Sequence, residues 1–85
     1  MEFCNGAADI LVFMQPGREY ELLEVQQGLG LNRQTLYNRI KLLESLGLIE
    51  TWRERQPPAR RLLKLTEKGR QVREYIVKIR ELLES

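Results

Sequence analysis

Arg33, Gln34, Asn38 and Lys41 carry the most directed chemistry in this 85-residue chain. At about 100° per residue, Gln34, Tyr37, Asn38 and Lys41 gather on one side of a helix, opposite Leu36, Ile40 and Leu43. A carboxamide donates and accepts at once, so Gln34 and Asn38 can pair bidentately with the edge of an adenine. Arg33 and Lys41 can read guanine or hold phosphate. Thr35 and Tyr37 suit phosphate oxygens, contacts that position a partner without specifying it. A second group lies downstream. Between Trp52 and Arg73, eight basic residues stand against two acidic ones, whereas residues 1–31 hold one base against five acids. The net charge of +2 conceals this asymmetry. A local cationic field of that size attracts polyanions.

Covalent chemistry finds little support. The chain has no histidine and a single cysteine, Cys4. That removes Ser-His-Asp and Cys-His catalysis, an intrachain disulfide, and a zinc site of cysteine and histidine. No glycine loop for phosphates and no well-spaced acid pair appears, so no catalytic residue, metal or cofactor is expected. The longest apolar run, Ile10 to Met14, is too short to span a membrane or to form a secretory leader. A cytoplasmic location is expected, and a lone thiol fits a reducing compartment.

The recognition chemistry needs elements to hold it. Ala7, Ile10, Leu11 and Met14 predict a helix over 7–15, stopped by Pro16-Gly17, with more apolar surface than one face can use. Residues 18–20 form a short extended link. Leu22, Val25 and Leu29 predict a second helix over 21–29, closed by Gly30. Asn32 stands at an N-cap position before a third helix over 33–46. Residues 48–55 and 60–66 predict two strands joined through Gln56-Pro57-Pro58-Ala59, which cannot continue a ladder. Arginines stand on both legs: Arg53, Arg55, Arg60 and Arg61. Alternation sends neighbours to opposite faces, so two of the four are expected to meet a partner, with Arg60 and Arg61 the favoured pair. Trp52 reads as a core or sheet-face residue. Lys64, Lys68 and Arg70 either hold backbone or keep the surface solvated. From Thr66 or Glu67 a last helix runs to the C-terminus, with Val72, Ile76, Ile79 and Leu83 at helical spacing.

The stretch GLGLNRQTLYNRIKLLESLGLIE, the basic strands, and LLKLTEKG together resemble the winged helix-turn-helix domains of prokaryotic transcription regulators. They are similar to the broad MarR/PadR-like group and to small archaeal regulators of that type. The likeness covers about residues 20–70. Leu46-Gly47-Leu48-Ile49-Glu50 and Leu65-Thr66-Glu67-Lys68-Gly69 are its most specific parts. The resemblance implies a mainly α fold with a small β-hairpin wing, in the order α-α-α-β-β-α. It implies a recognition helix (33–46) in the major groove of double-stranded DNA, with the wing (52–66) on the backbone or minor groove. Family contacts fall on Asn32, Arg33, Gln34, Thr35, Tyr37, Asn38 and Lys41, and wing contacts on Arg53, Arg55, Arg60 and Arg61. Full MarR-type proteins carry long extra helices; this chain has one short helix at each end.

The chain reads as one domain over 1–85, with the terminal helices (7–15 and 67–84) as dimerisation elements. Surplus apolar surface on the first helix, the stripe of the last helix, and Leu42 lying off the buried arc all point to an interface. A two-fold homodimer would set two recognition helices about 34 Å apart on a pseudo-palindromic site. The expected function is a dimeric repressor. The alternative is a winged-helix module for protein or RNA contacts. Cys4 reads as a small buried residue, or as a thiol near a dimer axis able to pair with its twin.

Overall fold

The computed structural model describes residues 6–84; the readings made for Glu2, Phe3 and Cys4 lie outside the described residues. The first helix, α1 (Ala7–Phe13), is shorter than expected by two residues. Its core face is the one its spacing predicts. Ala7, Ile10, Leu11 and Met14 are fully buried. The helix is wedged among three others, α2 (Leu22–Leu29), α3 (Arg33–Ser45) and α4 (Glu67–Glu84), so residues on several sides meet neighbours. Phe13 lies against Gly28, where a Cβ would sit 2.5 Å from the ring, and tilts against Tyr20 with centroids 5.8 Å apart. Each Leu or Ile buried here contributes roughly 1.5–3 kcal/mol. Of the extra apolar residues, Phe13 is half-buried and packs on the core, and Val12 is half-buried.

The turn between α2 and α3 is set locally. Gly30 takes φ 64° and ψ 33°, a left-handed conformation that glycine adopts at little cost. Its amide and that of Leu31 return to the carbonyls of the last turn of α2, at 3.3 and 3.1 Å. Leu31 packs on the core. The Asn32 side chain accepts from the Thr35 amide at 2.8 Å and caps α3. Leu36, Ile40 and Leu43 are buried as their spacing predicts. Leu42, expected to be exposed, is half-buried and packs against the same core.

The sheet contains one strand more than the expected hairpin. β1 (Tyr20–Glu21), β2 (Ile49–Arg53) and β3 (Arg61–Leu65) lie in the order β1-β3-β2, all antiparallel. Tyr20 pairs with Leu63 and Glu21 with Leu62. On the other side Ile49 pairs with Leu65, Thr51 with Leu63, and Arg53 with Arg61. Ile49, Leu63 and Leu65 are buried. Trp52 pairs with Leu62 on the opposite face and is half-exposed, a sheet-face residue outside the buried core. The turn between β2 and β3 closes through the Ala59 amide on the Gln56 carbonyl at 2.9 Å.

The two short motifs at the ends of the wing interlock. Thr66 donates its hydroxyl to the Gly47 carbonyl at 2.6 Å and accepts from the Gly69 amide at 3.0 Å, so it caps α4 while holding the end of α3. Lys68 reaches the Leu46 carbonyl at 3.1 Å, a cation at a helix C-terminus. A Cβ on Gly69 would stand 1.8 Å from the Leu48 carbonyl oxygen, so only glycine permits this approach. α4 then runs antiparallel to α1: Arg73 donates to the Val12 carbonyl at 3.1 Å, and Arg80 pairs with Asp9 at 2.6 Å.

Candidate nucleic-acid interface

The outer face of α3 is built from its own cap outward. With Leu36, Ile40 and Leu43 anchored in the core, Arg33, Gln34, Asn38 and Lys41 turn to solvent. Gln34 donates from Nε2 to Asn38 Oδ1 at 3.3 Å, one helical turn away. That bond orients both amides and leaves donors and an acceptor free on the exposed side. The Tyr37 ring packs partly on the core, and the Arg33 guanidinium sits 5.9 Å from its centroid, within cation–π range. Asn32 and Thr35 are engaged in the cap: Asn32 through its side chain, Thr35 through its backbone amide. Thr35 is half-buried.

An open groove of about 490 Å³ separates α2 and α3 from the wing; Arg33, Tyr37, Arg53, Arg60 and Arg61 line it, with Glu21 and Gln26 opposite. Four guanidinium groups thus converge on one concavity beside the exposed face of α3. Alternation sorts the arginines that lie within the strands, and Arg60 joins them at the groove. Arg53 and Arg61 face each other across the ladder and share the groove side. Arg61 donates to the Thr51 hydroxyl at 3.4 Å, and Thr51 donates to Glu44 of α3 at 2.9 Å, which ties the wing to α3. Arg53 donates to the Ala59 carbonyl at 3.4 Å. Arg55 lies on the outer side, in a shallow concavity with Trp52, Pro57, Pro58 and Leu62.

Arg60 precedes β3, where strand alternation does not yet apply, and its guanidinium is engaged. It grips Glu54 with both prongs, Nε to Oε1 at 2.7 Å and Nη2 to Oε2 at 3.1 Å, while Nη1 donates to Glu21. The Arg60 amide also donates to Glu54, at 3.2 Å. The hydrogen bond from the Arg60 side chain holds the Glu54 carboxyl below the usual carboxylate range, and the same bond raises Arg60 further above its ordinary value. Glu21 is itself the N-cap of α2: its side chain accepts from the N3 amide, and Glu24 returns the bond to the Glu21 amide at 3.1 Å. Sequence reading missed this role. The spacing Glu21-x-x-Glu24 was its available signal. The remaining basic residues of the wing and its exit are partnered as well: Lys64 with Glu50 at 3.5 Å and Arg70 with Glu67 at 2.7 Å. Among the described residues no group of three or more acids, histidines or cysteines is placed to hold a metal ion, and no helix is long and apolar enough to cross a membrane.

Two helices joined by a capped glycine turn, a three-stranded wing and a closing helix define a winged helix-turn-helix, and residues 9–85 match the family described as HxlR-like helix-turn-helix. The chain belongs to the HxlR-like family. No curated protein sequence matches it at a significant level. HxlR-like membership agrees with its structural neighbours. A transcriptional regulator homologue from Pyrococcus horikoshii OT3 superposes with a TM-score of 0.84 at 21% identity, over 95% of this chain and 82% of that one. A SlyA-like transcription regulator from Listeria monocytogenes gives a TM-score of 0.84 at 26% identity, over 99% of this chain and 56% of the other. FabT of Streptococcus pneumoniae, a structure in complex with DNA, gives 0.76 at 21% identity, over 91% of this chain and 54% of that one. The HxlR-like chain thus spans little more than half the length of the last two.

Proposed function

We propose that this HxlR-like protein is a sequence-specific regulator of transcription that binds double-stranded DNA, with α3 in the major groove and the wing along the adjacent backbone or minor groove. One observation carries the reading. The acid-poor, hydrogen-bonding face of α3 and the arginine groove open on the same side of the molecule. In this pose Gln34 and Asn38 read base edges, while Arg33 and Lys41 read guanine or hold phosphate. Tyr37, Arg53, Arg55 and Arg61 hold the backbone, and Asn32 and Thr35 present the capped helix start to a phosphate.

The protein acts as a homodimer on a pseudo-palindromic site, and represses by occupying it. Support for the dimer comes from α4. Tyr75, Ile79, Leu82 and Leu83 are 67, 56, 75 and 80% exposed and fall on one side of α4 as an apolar stripe. The first helix adds the half-buried Val12 and Phe13. Selection of bound sequences from a random duplex pool tests the reading. An inverted repeat with half-sites one helical turn apart is expected, with affinity falling as salt rises by about 0.9 log units per log unit for each phosphate contacted. Recovery of no consensus, or salt-independent binding, overturns it. Sedimentation at micromolar concentration tests the dimer, and a lone 10 kDa species speaks against it.

A further inference from the structure

The geometry points to Arg60 as a positioning residue of the DNA interface: through Glu54 and Glu21 it clasps the wing to the start of α2, and so fixes where Arg53 and Arg61 stand relative to α3. This rests on the DNA-binding reading above. The observations separate Arg60 from its neighbours. Its Nε, Nη1 and Nη2 all donate to carboxylate oxygens. One cation between two carboxylates leaves a net negative cluster, which opposes the approach of a phosphate. Arg53, by contrast, has a carbonyl as its partner and keeps its full charge for a polyanion. Both carboxylates of the clasp are anchored by backbone. At the base of the wing turn the Glu54 amide donates to the Arg60 carbonyl at 3.0 Å, and the Glu54 carboxylate accepts from the Arg60 amide at 3.2 Å. Glu21 caps α2 and pairs with Leu62 of β3. The clasp therefore joins two rigid pieces 39 residues apart in sequence. Exposed ion pairs add little stability; a doubly held guanidinium instead adds a side-chain tie beside the β1–β3 pairing that joins the wing to the start of α2.

The test compares Arg60→Ala, Glu54→Gln, their double variant and Arg53→Ala on the selected duplex at several salt concentrations. A positioning role predicts that Arg60→Ala weakens binding with its salt slope unchanged, that Glu54→Gln weakens it similarly, and that the double variant is no worse than either. Arg53→Ala lowers the slope by about 0.9, the loss of one phosphate contact. Hydrogen exchange on the free protein gives a readout without DNA: the Glu54 amide loses protection in Arg60→Ala and in Glu54→Gln. A slope lowered by about 0.9 in Arg60→Ala, or tighter binding by Glu54→Gln because a freed guanidinium reaches DNA, overturns the clasp. Unchanged Glu54 protection also overturns it. Absence of DNA binding by the unaltered protein would defeat the functional reading, with the exchange result still deciding the clasp.

Discussion

The outer face of α3 and the wing are both cationic, yet they are built in different ways. On α3 the polar side chains are arranged by neighbours one turn away: Asn32 caps, Gln34 holds Asn38, and Tyr37 underlies Arg33. On the wing, order comes from distant elements: Arg61 through Thr51 to Glu44, and Arg60 to Glu54 and Glu21. For the base-reading role proposed for α3, bare, locally oriented donors are an advantage. A surface that must sit at a fixed distance from the first gains from ties to the rest of the fold. The comparison also shows that counting arginines overstates a binding face, since the most strongly held of the four wing arginines is the one facing two carboxylates.

The comparison can be broken hardest at the junction joining the two regions. Gly69→Val drives a side chain into the Leu48 carbonyl, where a Cβ alone would stand 1.8 Å away. A loss of about 3 kcal/mol is expected in urea unfolding, and an unshifted midpoint would mean that α4 can move aside freely. The local construction of α3 is sharpened by Asn38→Ala, which should cost about 2 kcal/mol of discrimination at one base position and little at the others. A uniform loss across all operator variants would move Asn38 from base to backbone. Asn32→Ala should lower stability by about 1 kcal/mol through its cap while leaving the sequence preference intact; a changed preference would give Asn32 a base.

The smallest effect concerns pH. The Arg60 hydrogen bond places the folded Glu54 carboxyl below its unfolded value. The unfolded chain therefore binds more protons in that window, and stability rises with pH across it. The contribution is complete above the ordinary carboxylate range and is lost as pH falls through the depressed value. Protection of the Glu54 amide should follow that course, and Glu54→Gln should flatten it. A wing equally protected on both sides of the transition would show that Glu54 holds nothing.

What could be read from the sequence follows the same division. The Gly30–Asn32 turn, the buried arc of α3 and the Thr66–Gly69 motif are written in neighbouring residues, so spacing and capping chemistry find them. β1 escapes such reading because two residues, Tyr20 and Glu21, become a strand only when β3 lies alongside. Leu42 looked exposed because a one-helix projection does not show the core it packs against. Arg60 looked like a free cation because Glu21 is remote in sequence. Trp52, with a core and a sheet-face reading open, was decided by its pairing with Leu62 on the exposed side of the ladder.

The seam where Thr66 and Lys68 bind the last carbonyls of α3 gives the molecule a stiff mechanical linkage. α4 extends from that seam as an arm of about 27 Å, bare at its tip. Between the exposed Leu82 and Leu83 and the end of α3 there stand only the helix itself and the Thr66 and Lys68 bonds.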